Sequence, residues 1–301
     1  MSLLQRAPTT LQSLLDHNLI HLRDMAVVEL LSYVAFGALL FAAVMHIARL
    51  RVPYRLVRVP QPRRAQVHRE VFNSTRAVVL YNGVQLAMRV AVLAFGYVYL
   101  VNRPMPAWEF WLSLPLVIVI HDAYFYWTHR LMHLPWLFRW FHWEHHRSQA
   151  PTVFTAYSFA IPEAIVQGLF GVFYVAFFPA NFATLIFFQT VEIAHNIAIH
   201  SGFEFGPKSW VLGRFGWLCG ATHHDMHHRT GRDGYGLYFR FWDRLMKTEH
   251  ADFERVFAYV VSPHNDGRAY SKVLGSGQAS PPAQTAPSGE ALAPRAEGAS
   301  G

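Results

Sequence analysis

The sequence predicts an all-α, integral-membrane helical bundle with a polar helical cap on its cytoplasmic side. Three observations carry this. Apolar residues make up 52% of the 301 residues and charged residues only 15%, where an ordinary soluble domain carries about 25% charged residues. Four or five apolar runs approach the ~20 residues that a bilayer core requires. Twelve of the 18 histidines fall between His121 and His228, and a threading made without them puts every dense cluster on one side.

The elements follow in order. Residues 1–25 form an N-terminal segment without the basic start, short apolar run and small-residue cleavage site of a signal peptide, so the first apolar run is expected to stay in the mature protein. That run spans 26–50 and carries one acid, Glu29. A loop over 51–76 holds Arg51, Arg55, Arg58, Arg63, Arg64, Arg69 and Arg76 against one acid, Glu70. The positive-inside rule places it in the cytoplasm. The second run, 77–100, carries Asn82, Gln85 and Arg89 and leads outward to a short loop over 101–106. The third, 107 to about 127, returns inward and ends near His129. The fourth, 162–178, and fifth, 182–200, are separated by Pro179-Ala180-Asn181 and read as a helical hairpin ending near His200. Residues 203–272 are mixed and polar, as expected of a cap. From Gly275 the chain is rich in Gly, Ser, Pro and Ala and lacks the apolar content for a core. The domain reading is therefore a membrane domain over 26–272, flanked by the N-terminal segment and a disordered tail over 273–301.

Charge and cysteine content narrow the function classes. The net charge is +7, which suits nucleic acid or an anionic membrane surface. The arginines flank apolar runs, so lipid phosphates are the expected partner and nucleic acid is not. A single cysteine, Cys219, excludes a disulfide framework and a cysteine-rich zinc or iron–sulfur site.

The histidines form boxes with metal-ligand spacing. The first is His121-Asp122-x6-His129-Arg130-x2-His133. His129 and His133 are four apart and share a helix face. Asp122 projects on nearly the same face, within reach of the second nitrogen of a ligand histidine. The second box is His142-x2-His145-His146. The third is His224-x2-His227-His228, preceded by His223. An i, i+3, i+4 pattern presents three imidazoles on one helical face, and two such faces opposed around a space can hold two metals. Between them lies His195-Asn196-x3-His200 at the end of the fifth run, with His195 turned about 100° away. His17, His21, His46, His68, His250 and His264 lie outside any box and read as ordinary histidines. Without a metal, the clustered ones would repel when protonated and cost desolvation when buried. Imidazole suits iron, zinc, copper and nickel. Catalytic zinc usually takes three protein ligands and a bis-histidine heme two, so eight to ten candidates imply two metal ions.

At these residues the chain resembles the fatty acid hydroxylase / sterol desaturase superfamily. The resemblance runs from about Ile118 to Thr248. It rests on HDAYFYWTHRLMH, FHWEHH, HNIAIHSGFE, and THHDMHH followed by GYG and FWDRLMKT. It implies a membrane domain of about four spanning helices with a cytosolic cap enclosing two irons. By matching position, the ligands it implies are His129, His133, His142, His145, His146, His200, His224, His227 and His228. Asn196 is a further candidate, and His121, Asp122, His195 and His223 stand as extra ligands or supports. Two departures are visible. Relatives often carry His-Pro-x-Glu after the second box, where this chain has Ile161-Pro162-Glu163, and the Trp-Asp signature closes on Lys247-Thr248 rather than Gly-Thr.

The resemblance implies dioxygen as cosubstrate and two iron ions, with zinc able to replace them in purified material. It also implies electrons from a separate protein, of the ferredoxin type or a b-type cytochrome with its reductase, while the topology fits a bilayer lipid as substrate. Hydroxylation is the favoured outcome and desaturation on the same site the alternative. A membrane zinc hydrolase is a more distant reading, with Glu144 as its general base. A non-catalytic metal carrier fits worse, because the histidines gather at one face instead of lining a path.

Overall fold

The computed structural model describes residues 62–95, 106–178, 182–206, 208–212 and 216–274, with Val57 and scattered positions between 27 and 46. The N-terminal segment, most of the first apolar run, the 101–105 loop, the Pro179-Ala180-Asn181 break and the tail from residue 275 lie outside the described residues. What is described is helical, and the one bridge, Leu218 to Phe239, is isolated.

The first long helix, α1 (Arg64–Phe95, 32 residues), corrects the sequence reading, which placed a loop up to residue 76. From Arg64 to Arg76 the arginine-rich stretch forms the first turns of the helix, while Arg51, Arg55 and Arg58 lie outside the described residues. Its inward positions, Glu70, Asn73, Ser74, Ala77, Val78, Tyr81 and Asn82, are all buried and recur at helical spacing. They look polar because their partners are polar. Gln66 donates to Glu70 at 2.7 Å, Asn73 to Glu144 at 2.9 Å, and Ser74 to the Phe154 carbonyl at 2.6 Å. Local polarity reads as loop; only the partners reveal a buried polar face.

Helix α2 (Ala107–Met132) starts behind Pro106, with Glu109 in its first turn, where a carboxylate favours the helix dipole. At 26 residues it is, among the described residues, the one helix long and apolar enough to cross a membrane. One face is buried through Leu114, Val117, His121, Asp122, Tyr126 and His129. The other exposes Trp108, Leu112, Leu116, Val119, Trp127 and Leu131, an apolar stripe. Two short helices follow, α3 (Pro135–Phe141) and α4 (Trp143–His146), with His142 at their junction. The His146 N–H still reaches the His142 carbonyl, so the second box keeps a helical register across the break.

A loop containing a 3-10 turn (Thr155–Tyr157) leads to α5 (Ile161–Phe177), which Pro162 initiates, and then to α6 (Phe182–His200). α5 has 17 residues and is apolar but shorter than a full span. The cap contains α7 (Lys208–Val211), α8 (Ala221–Thr230), α9 (Phe241–Leu245), α10 (Phe253–Val260) and α11 (Ala269–Val273). α8 opens on Gly220 and closes on Gly231, whose φ of 61° is the left-handed geometry of a helix C-terminus.

Three apolar clusters fix the arrangement. Val117, Phe170, Tyr174 and Phe188 join α2, α5 and α6. Ala77, Tyr81, Ala156, Phe159, Ile193 and Ile197 lock α1 and the 3-10 turn against α6. Met226, Phe253, Val256, Phe257 and Tyr270 back α8 with α10 and α11. α8 is thus held between α6 and the C-terminal helices, with residues 221–228 all buried.

Candidate metal centre

Nine histidines from four elements meet at the cap–bundle junction. His129, His133, His142, His146 and His227 form one group, with ligand atoms all within 4.8 Å of one another; His145, His200, His224 and His228 form a second. These are the nine that the resemblance implies. The groups adjoin, with the rings of His146 and His228 at 4.8 Å. Each H-x2-H-H box is divided between them. The second sends His142 and His146 to the five-histidine group and His145 to the other. The third sends His227 to the five and His224 and His228 to the four.

The donor set fits metal ions. His129 Nδ1 lies 2.9 Å from the Tyr235 carbonyl, His227 Nδ1 2.7 Å from the Asp233 carbonyl, and His200 Nδ1 2.7 Å from the Asn196 carbonyl. A carbonyl only accepts, so each Nδ1 carries the proton and each Nε2 turns a lone pair inward. Inward nitrogens stand close: 2.9 Å for His129–His142, 3.1 Å for His146–His227, and 2.8 Å for His200–His224. Hydrogen bonds between rings can satisfy only some of these lone pairs, whereas a cation satisfies all. An imidazole nitrogen sits about 2.1 Å from a bound zinc-sized ion, so two ligands at right angles stand about 3.0 Å apart.

Other flagged residues do different work. Asp122 does not hold a ligand histidine. Its Oδ1 accepts the backbone N–H groups of Tyr238 and Phe239 at 2.9 and 3.1 Å. His121 Nδ1 meets the Tyr238 hydroxyl at 3.0 Å, and His195 Nε2 the Leu237 carbonyl at 2.8 Å. All three pin the 237–239 stretch of the cap to α2 and α6, outside both histidine groups. Asn196 also stays outside both: its Nδ2 donates to the Ala156 carbonyl and to Glu192. His223 lies in a buried cluster with Cys219 and Asp243. The Asp243 oxygens already accept from Tyr235, Gly236 and Thr248, so this cluster reads as a clasp of the fold.

Glu163 is the residue that the histidine spacing missed. Its carboxylate lies 2.6 Å from His142 Nδ1 and is almost fully buried. The signal was present as an acid in the first turn of an otherwise apolar helix. Glu144, inside the second box, turns away to Arg69 at 3.2 Å and Arg147 at 2.7 Å.

Burial holds the His142, His145, His146, His224 and His228 imidazoles well below their ordinary range, with neighbouring histidines adding to it. Burial likewise brings His227 down to about 4. These rings are neutral in the folded chain and ready to ligate. In the unfolded chain they bind protons below about 6.5. The folded state is therefore favoured fully above that pH and loses stability as pH falls toward 4. The metal-free protein should unfold at a lower temperature at pH 5.5 than at pH 7.5, with little change above 7. A flat thermal profile from pH 5 to 7.5 would contradict neutral buried rings.

Comparison with known proteins places the chain among lipid-oxidising enzymes. The fatty acid hydroxylase family model matches residues 114–248. The chain is 28% identical over 199 residues to cholesterol 25-hydroxylase of Rattus norvegicus, covering 63% of this chain and 67% of the relative. It is 30% identical over 182 residues to a cholesterol 25-hydroxylase-like protein of Danio rerio, covering 59% and 72%. It is 32% identical over 139 residues to a Delta(7)-sterol 5(6)-desaturase of Leptosphaeria maculans, covering 46% and 37%. No solved structure matches.

Proposed function

Since the chain belongs to the fatty acid hydroxylase / sterol desaturase superfamily, we propose that it is a membrane-bound oxygenase that hydroxylates a C–H bond of a lipid. Two irons would be held by His129, His133, His142, His146 and His227 on one side and His145, His200, His224 and His228 on the other. The observation that carries this is the convergence of nine imidazoles, eight of them buried, in two adjoining groups. When bound, the irons supply activation of dioxygen and attack on an unactivated C–H bond. One oxygen atom enters the alcohol and the other leaves as water, with two electrons and two protons from outside.

The chain's own residues orient and exclude. Carbonyls of Asp233, Tyr235 and Asn196 fix three ring tautomers. Asp122, His121 and His195 hold the cap stretch 237–239 over the bundle, and burial keeps water from the reacting carbon. A bilayer substrate fits the exposed apolar stripe of α2. Four spanning helices, with the histidines on the cytoplasmic side, complete the reading. The electron donor is a separate protein, for which the basic face bearing Arg130, Arg139 and Arg147 offers a docking surface.

Desaturation is the second reading, favoured by the desaturase relative. A zinc hydrolase finds less support, because Glu144 is held by Arg69, Arg147 and Asn73 and Glu163 by His142. The test is to supply 18O2 to membranes carrying the chain, with an electron donor, and to follow lipids by mass spectrometry. A lipid gaining one labelled oxygen is the expected result. Loss of two hydrogens without label would move the assignment to desaturation. A product labelled only from H2 18O would overturn oxygenation in favour of hydrolysis.

A further inference from the structure

The two histidine groups are not equally supported from outside. In the five-histidine group three rings have an anchored Nδ1: His142 on Glu163 at 2.6 Å, His129 on the Tyr235 carbonyl at 2.9 Å, and His227 on the Asp233 carbonyl at 2.7 Å. In the four-histidine group one ring is anchored in this way, His200 on the Asn196 carbonyl. The Nδ1 atoms of three of its four rings, His145, His224 and His228, are buried with no hydrogen-bond partner among the described residues, against one of five, that of His146, in the other group.

Two carboxylates stand behind the three anchors. Glu163 acts directly on His142. Asp243 acts through the loop that carries the two carbonyls. Its Oδ1 accepts the Tyr235 N–H at 2.9 Å and the Thr248 hydroxyl at 2.7 Å, and its Oδ2 accepts the Gly236 N–H at 2.8 Å. Thr248 adds its carbonyl to the Gly234 N–H at 2.7 Å. The loop takes this path because Gly234 adopts φ of 71°, and because Gly236 leaves room: a Cβ there would stand 2.9 Å from Asp243 Oδ2 and 2.6 Å from the Phe239 carbonyl.

A ligand ring already fixed in orientation and tautomer loses less freedom when a metal binds, and a carboxylate partner makes its other nitrogen more basic. We propose that Glu163 and Asp243 are positioning residues that make the five-histidine centre the tighter of the two metal sites, so that the four-histidine centre releases its ion first. This rests on the two-metal reading above.

The test measures metal content, not turnover. Full-length protein in detergent is loaded with iron, titrated with EDTA, desalted, and assayed for iron per chain. The wild type should release iron in two steps, and His224→Ala should retain the tighter one. Glu163→Leu and Asp243→Ala should move the tighter step to ~10–100-fold lower chelator, the usual cost of removing an outer partner of a ligand, and leave the looser step in place. Glu163→Gln, which keeps an acceptor for His142, should recover much of the shift. Release in one step by the wild type would overturn the proposal, as would variants of native circular dichroism that shift both steps equally. Failure of the two-metal reading would look different, with fewer than two irons per wild-type chain before any chelator is added.

Discussion

Replacing His227 with alanine is expected to lower lipid oxidation by at least about a thousandfold, while His264→Ala leaves it unchanged. His227 sits at the middle of the five-histidine group. Its ring lies 4.5 Å from that of His129 and 4.8 Å from those of His133 and His146. Alanine removes one inward nitrogen and opens a gap that water can fill. A metal centre contributes several kcal/mol to such chemistry, and each 1.4 kcal/mol is tenfold in rate, which sets the expected loss at about a thousandfold or more. His264 is exposed, outside both groups. Product per mole of chain, by mass spectrometry, and bound iron, by elemental analysis, are the measurements. Activity of His227→Ala within tenfold of the wild type would remove it from the ligand set.

Asp122→Ala should destabilise the fold by about 2–4 kcal/mol, because two backbone N–H groups, one buried and one part-buried, lose their acceptor together, at about 1–3 kcal/mol for each that is left unpaired. Asp122 is buried on α2, and the groups it serves, those of Tyr238 and Phe239, lie 116 and 117 residues away. The same stretch carries the hydroxyl that meets His121 and the carbonyl that meets His195. Loosening it frees the wall of the centre as well as the chain. Asp122→Asn keeps an acceptor oxygen at the same place and should stay within about 1 kcal/mol of the wild type, since one oxygen takes both N–H groups. Denaturant unfolding in detergent reads both. Equal midpoints for the alanine variant and the wild type would mean that the carboxylate does not hold the cap.

The boxes were legible because metal ligation and helical geometry leave local marks. Spacings of three and four put imidazoles on one face, and nine of the flagged histidines do converge. The exposed His68 and His264 lie apart, as their isolation in sequence suggested. The apolar runs at 107–127, 162–178 and 182–200 coincide with α2, α5 and α6. The start of α1 was misread for a physical reason. A helix whose buried face is made of Glu70, Asn73 and Ser74 has no apolar periodicity to detect.

The sequence by itself determined that the chain is helical and carries clustered imidazoles at the ends of apolar segments, because these depend on contacts within four residues. Only the tertiary structure decided how each box divides between two groups, that Asp122 serves backbone N–H groups while Glu163 serves His142, and that Asp243 accepts the Tyr235 and Gly236 N–H groups of the loop behind His129 and His227. Those bonds join atoms that only packing brings together: 21 residues separate Glu163 from His142, and 106 separate Tyr235 from His129. Periodicity settles which side chains share a face of one helix, but which partner that face meets is chosen by the apolar clusters that set one helix against another.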